Sequence, residues 1–222
     1  MNGYKLVLGN KNYSSWSFRP WFFLKILGID FDEEMVFLYE NDTSKKMSAY
    51  NSNGKVPVLI DSSDSQQPLE VWDSLAIIEY IADKYPDLQG WPASLNARAI
   101  ARSISAEMHS NFDSIRSTLS MNCRKHFPNH PISTETQQDI DRITKLWEFC
   151  STNYGNGGPW LFGEFSGADA MYAPVVLRFT GYDIKLSGFA QEYSQMVMEN
   201  KYMQEWIAAG KQETQIIDFD EI

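Results

Sequence analysis

The first third of the chain alternates short apolar runs with helical patterns. Tyr4–Gly9 reads as a buried strand closed by glycine, and 17–28 as a helix. Ser17 stands where a cap is expected, Pro20 in the first turn, and Gly28 at the C-terminal stop. The stretch 30–38 contains a second strand, followed by a polar segment with a short irregular helix and a loop. Two brief strands, 56–61 and 69–72, flank the turn-rich "SSDSQQP". An amphipathic helix over 73–86, capped at Asp73 and Ser74, stops at Pro86. The order β-α-β then β-β-α predicts one mixed four-stranded sheet with helices on its faces.

Beyond "DLQGWPASLN" the texture becomes helical throughout, which puts a boundary within 86–95 and divides the chain into 1–86 and 93–222. Ala97, Ile100, Ala101, Ile104, Met108, Phe112, Ile115 and Leu119 fall on one stripe of a single long helix at about 100° per residue. Glu107, Asn111 and Thr118 project into that stripe and require partners or water. Further helices fit 133–153, 167–180 and 189–210, and the acidic "IIDFDEI" reads as a peripheral extension.

Composition narrows the function. The 222 residues are 43% hydrophobic and 22% charged, with a net charge of -10, which argues against nucleic acid and anionic membrane surfaces. No apolar run reaches a membrane span, and the N-terminus lacks a secretory pattern. Cys123 and Cys150 are far apart and read as free thiols of a reducing cytoplasm. His109, His126 and His130 have no metal-ligand spacing with them, so no metal is expected.

Three places suggest chemistry. "NYSSWSFRPW" (12–21) gathers three hydroxyls where a strand hands over to a helix. Serines cap helices, and Ser17 is expected to do only that. A helix N-terminus also stabilises an anion, so a hydroxyl in the preceding loop is suited to a thiolate brought by a ligand. Ser-His-Asp hydrolysis competes poorly, because there is no G-x-S-x-G elbow and no histidine in the first domain. In "NGKVPVL" (53–59), a cis Val56–Pro57 bond would present the Val56 backbone to a peptide ligand, against an ordinary trans proline at a strand edge. In "WDSLAIIEY", Asp73 and Ser74 form either an N-cap pair or a receptor for a ligand ammonium and carboxylate.

With these motifs in this order, the chain resembles the cytosolic glutathione S-transferase superfamily over its whole length. "SSWSFR" is similar to the "SSCSWR" signature of the zeta class, the maleylacetoacetate isomerases, and closer to a bacterial branch reading "SSWSLRPW". "KVPVL" is similar to the superfamily's cis-proline strand, and "DSLAIIEYI" to its "ESxAIxxYL" motif. "FSGADAMYAPVVLRF" (165–179) is similar to the helix carrying its buried capping box, here Ser166 and Asp169.

The resemblance implies a thioredoxin-like glutathione-binding domain over 1–86 and an all-helical domain over 93–222. It implies that Ser14 hydrogen-bonds the glutathione sulfur with Ser15 beside it. Val56 would pair with the cysteinyl backbone, Lys55 reach the glycyl carboxylate, and Asp73 and Ser74 hold the γ-glutamyl head. Trp16 stands where zeta enzymes have cysteine, which counts against zeta-type isomerisation. Arg19 is open between a salt bridge and a role at the site. Met108, Asn111, Phe112, Ile115, Arg178 and Tyr182 are the candidates for the electrophile pocket. The expectation is a cytoplasmic, homodimeric glutathione transferase acting on a small hydrophobic electrophile. A glutathione-dependent isomerase and a non-catalytic binding protein of the same fold remain open.

Overall fold

The computed structural model describes residues 3–63 and 67–221. Strands β1 (Tyr4–Leu8), β2 (Asp32–Met35), β3 (Val58–Asp61) and β4 (Leu69–Trp72) form one sheet in the order β2-β1-β3-β4. β1 runs parallel to β2 and antiparallel to β3, and β3 antiparallel to β4. Both faces of β1 are covered. Leu6 and Leu8 join the main core, while Val7 packs on the other face with Val36, Met47 and Val58. Helices α1 (Ser15–Leu27) and α3 (Ser74–Lys84) belong to the first domain, with the short α2 (Thr43–Met47) between them in sequence. The strand expected from 56 begins at Val58, and the Val56–Pro57 bond is cis.

α1 starts two residues earlier than expected. Ser14 is its N-cap, and Ser17 instead lies at its third position. There the Ser17 hydroxyl oxygen accepts the buried Gly9 N–H (2.9 Å) and the Ser14 hydroxyl (2.8 Å). Three serines within four positions are all competent caps, and the strand-to-helix geometry decides among them. Pro20 consequently sits inside the helix, not in its first turn, and cannot donate to the Trp16 carbonyl. Gly28 ends the helix as foreseen, at φ 70°, with its N–H on Leu24 and Lys25 carbonyls.

The second domain is helical: α4 (Leu95–Ser110), α5 (Asp113–Thr118), α6 (Thr134–Tyr154), α7 (Gly167–Gly181), α8 (Gly188–Glu199) and α9 (Lys201–Gln212). The single long helix expected from Asn96 onward breaks at Asn111, and Phe112 takes a left-handed conformation (φ 64°). Ile115 and Leu119 stay buried because α5 turns them back into the same core. Of the polar groups in the stripe, Glu107 pairs with Arg142 of α6 (2.8 Å) and the Thr118 hydroxyl accepts from that of Thr136 (3.3 Å). The helix expected over 189–210 is two helices, because the Asn200 side chain caps a new N-terminus at Tyr202 N–H. Ser166 and Asp169 form the expected capping box, fully buried at the start of α7. Burial raises the Asp169 carboxyl to about 6 despite the N–H groups of Leu161 and Ser166 that it accepts. Among the described residues, no helix is long and apolar enough to cross a membrane.

The two domains meet along α1 and α7. A Cβ on Gly167 would meet Ile78 and Trp91 at 2.8 Å, so the first turn of α7 can sit on α3 only with glycine there. The C-terminal stretch is not peripheral. Glu213 accepts the Lys11 and Asn12 N–H groups, Gln215 bonds Asn10 and the Leu38 carbonyl, and Ile217 is buried. Glu221 accepts from Tyr13 and pairs with Lys125 (2.6 Å) and Arg124 (3.2 Å). This strap pins the β1–α1 loop from outside.

Two predictions follow from these contacts. Ser17→Ala leaves the Gly9 N–H buried without its acceptor, and thermal unfolding should show a loss of roughly 1–3 kcal/mol. Burial alone would raise the Glu221 carboxyl, but hydrogen bonds from Lys125, Tyr13 and Asn122 outweigh it and hold the pKa at about 2. The folded value lies below the unfolded one, so the strap is held at neutral pH and released as pH falls from about 4.5 through 2. Amide protection over 213–221, taken relative to intrinsic exchange at each pH, should therefore fall steeply between pH 4.5 and 2, and at pH 7 in Glu221→Gln. Equal protection in that variant at pH 7 would refute the carboxylate's role.

Candidate functional site

The sheet register brings the three sequence motifs to one edge. Val7, near the end of β1, pairs with Val58, and Val58 pairs with Trp72, the end of β4. The loop carrying Ser14 and Ser15, the Val56–Pro57 bond, and Asp73–Ser74 at the start of α3 therefore all leave the sheet on the same side. Ligands of open sheets with helical crossovers gather at such an edge, beside helix N-termini.

Ser14 and Ser15 are buried at the first turn of α1, which contains no acidic residue. The Ser15 N–H goes to the Tyr13 carbonyl (3.0 Å) and the Ser17 N–H to Ser14 Oγ, so among the described residues the Trp16 N–H and the dipole of that turn remain available to an anion. Ser14 Oγ donates to Ser17 Oγ and accepts the Ser17 N–H (3.3 Å). Ser15 Oγ accepts from Arg178 Nη2 of α7 at 3.3 Å, and Arg178 Nη1 donates to the Leu119 carbonyl. Burial, with the nearby Arg116 charge, lowers the Arg178 guanidinium to about 10.

At the other motif Asp73 stands at φ 77°, a conformation L-residues seldom adopt. Its Oδ1 accepts the Leu75 and Ala76 N–H groups, and its Oδ2 meets His109 Nε2 of α4 at 2.6 Å. The Ser74 hydroxyl is fully buried and has no hydrogen-bond partner among the described residues. Such orphans are rare in folded proteins and ask for a missing acceptor or donor. Ser52, just before Lys55 and Val56, has a second one. Lys55 is exposed and Val56 half-buried.

Between the two motifs lies Trp16, half-buried, with its ring edge-to-face against His109 (5.2 Å between centroids). The guanidinium carbons of Arg19 and Arg116 lie 4.3 and 4.8 Å from its ring centroid. Arg19 forms no ion pair among the described residues, so the salt bridge left open for it is not what it makes. It is 1% exposed, and Nε and Nη1 lack partners. Burial and the charges of Arg116 and Arg178 push its pKa well down.

Met108, Phe112, Ile115 and Tyr182 are buried in the helical core, while Asn111 is exposed. The Met108 carbonyl accepts from Arg116, and Tyr182 stacks on Phe127 at 4.6 Å. Of the expected electrophile-pocket residues, Arg178 is the one whose side chain bonds a site serine. The sequence leaves Arg19 open as a site residue and gives no sign of His109, Arg116 or Ser52. An orphaned hydroxyl or a contact 93 positions away, as between Trp16 and His109, leaves no local pattern to read.

Residues 13–84 match the family described as Glutathione S-transferase, N-terminal domain. Glutathione S-transferase 1 of Dianthus caryophyllus is 24% identical over 83% of the chain and 82% of its own length. A probable maleylacetoacetate isomerase of Caenorhabditis elegans is 33% identical over 47% of each chain. The crystal structure of a glutathione transferase homologue from Burkholderia, with bound glutathione, superposes with a TM-score of 0.69 at 19% identity, covering 96% of this chain and 100% of that one. The four-stranded sheet and the helices that follow it thus share the fold of solved glutathione transferases, and the stretch 13–84 matches the N-terminal domain family of the glutathione S-transferases.

Proposed function

We propose that the protein is a glutathione transferase that binds glutathione along the sheet edge and ionises its thiol at the N-terminus of α1. The observation that carries this reading is the orphaned Ser74 hydroxyl on the same edge as the Ser14–Ser15 turn. A γ-glutamyl carboxylate supplies the acceptor that Ser74 lacks, and the first N–H groups of α3 add to its hold. Asp73 faces the ammonium, the Val56 backbone pairs with the cysteinyl residue, and Lys55 takes the glycyl carboxylate.

The thiol then reaches Ser14. Its hydroxyl turns from Ser17 Oγ to the sulfur, and Ser17 still accepts the Gly9 N–H when it does. Ser15 stands beside it as a second donor. The thiol proton leaves to solvent, the thiolate forms the S–C bond, and the leaving group departs with its electron pair. A charge-assisted hydrogen bond of about 1.5–3 kcal/mol lowers the thiol pKa by roughly 1–2 units.

The same reading includes a cytoplasmic homodimer. A monomer by sedimentation at micromolar concentration would remove the dimer without touching the site. The half-length identity to a maleylacetoacetate isomerase favours a second reading, in which glutathione adds and is released again. Trp16 in place of a cysteine counts against it, and product analysis separates the two by whether glutathione is consumed.

Two substitutions test the site. Ser74→Ala should weaken glutathione binding by roughly 1–3 kcal/mol in calorimetry, and unchanged affinity with an intact fold would remove Ser74 from the site. Ser14→Ala should raise the pKa of bound glutathione, followed by thiolate absorbance against pH, by roughly 1–2 units with little change in affinity. If only Ser15→Ala moves that titration, the donor is Ser15. If neither moves it, no serine activates the thiol.

A further inference from the structure

Three guanidinium groups from separate parts of the chain converge beside the α1 N-terminus: Arg19 and Arg116 on the Trp16 ring, and Arg178 on Ser15. In a chain of net charge -10 this needs a reason. Among the described residues, none of the three forms an ion pair. Asp113 and Asp139 act on Arg116 only through space, as Asp220 does on Arg178 and Asp73 on Arg19. Asp73 is itself committed to His109 and two N–H groups. Buried charge without a counter-charge is costly, so clustered guanidinium groups mark a place where an anion arrives.

The three arginines are not equally available. Arg178 is occupied by the Leu119 carbonyl and Ser15. Arg19 is enclosed, with Nε and Nη1 unpartnered. Arg116 is half-buried and donates through Nε to the Asn111 carbonyl and through Nη2 to that of Met108. Its Nη1 makes no hydrogen bond among the described residues, so one edge of the fork is open. A single thiolate balances one of the three charges and leaves an excess on the side where the second substrate must enter.

We infer that the electrophile this site takes carries a carboxylate, contacted by Arg116 and attracted through space by the enclosed Arg19. This rests on the glutathione reading and replaces the hydrophobic electrophile expected from sequence with an anionic one. A planar guanidinium fork matches a carboxylate, and Trp16 holds the two arginines in place by cation–π contact. The anion-binding element is thus built from Trp16, the position where the chain departs from the zeta signature.

Two conjugates that mimic the product test this without assuming a reaction: S-benzylglutathione and S-(4-carboxybenzyl)glutathione, titrated calorimetrically alongside glutathione itself. The wild type should bind the carboxylated conjugate about tenfold more tightly than the neutral one, a difference of about 1.4 kcal/mol. The ratio should fall to about two or less in Arg116→Gln and be retained in Arg116→Lys, which keeps the charge. A ratio of one or less in the wild type overturns the inference, as does an undiminished ratio in folded Arg116→Gln. Should Arg116→Gln not fold, the wild-type and Arg116→Lys ratios decide. If glutathione and both conjugates fail to bind, the glutathione reading falls and takes the inference with it. If glutathione binds and the ratio is absent, only the inference falls.

Discussion

Helix α1 is enclosed, and most of the molecule is arranged to enclose it. From Ser17 to Leu24 every residue is buried. Phe18 and Trp21 pack on Trp206 of α9 at 4.8 and 5.1 Å between ring centroids, and Phe22 and Phe23 each lie 6.0 Å from Phe165. Each such aromatic side chain contributes roughly 1.5–3 kcal/mol by leaving water. No single layer could cover a helix that is apolar all round. The sheet covers one side and α7 and α9 the other, so neither domain has a complete core without its neighbour.

That enclosure dictates what the helix terminus can do. A buried N-terminus must find acceptors for its free N–H groups, and here the chain supplies the Tyr13 carbonyl and the Ser14 hydroxyl, both uncharged. Ser14 caps, Ser17 ties the turn back to Gly9 of β1, and no acid occupies the first turn. The positive end of the dipole is thus left unneutralised in a low-dielectric setting. Arg19, Arg116 and Arg178 then add to it instead of cancelling it. The strap of residues 213–221, tied to Lys11, Asn12 and Tyr13, fixes the loop that ends at Ser14.

Much of this could be read from the chain because the signals were local. Gly28 as a helix stop, the Ser166–Asp169 box and the order of the three motifs each depend on residues a few positions apart. The N-cap was misplaced by three residues because three serines compete for it. The break before α5 was hidden because a left-handed Phe112 has no sequence signature. The strap reads as a loose end in the sequence because its partners, Tyr13, Asn122 and Arg124, lie about a hundred or two hundred positions away. The arginine cluster was missed for the same reason: Arg19, Arg116 and Arg178 become neighbours only when α1, α5 and α7 pack.

If glutathione binds as proposed, that packing also sets where binding energy at its glutamyl end would come from. Both Asp73 oxygens are engaged: Oδ1 serves two N–H groups of its own helix, and Oδ2 meets His109 of α4. An ammonium arriving there would share Oδ2 with His109, which reduces the gain below that of an unengaged carboxylate oxygen. Ser74 next door has nothing to give up, since its hydroxyl is buried and unpartnered. A carboxylate reaching it satisfies a group that already bears the cost of desolvation. In the proposed glutathione reading, affinity at this end would therefore rest on Ser74 and the α3 N-terminus. Asp73, bonded to His109 and thereby to the edge of Trp16, ties the start of α3 to α4 and to the first turn of α1.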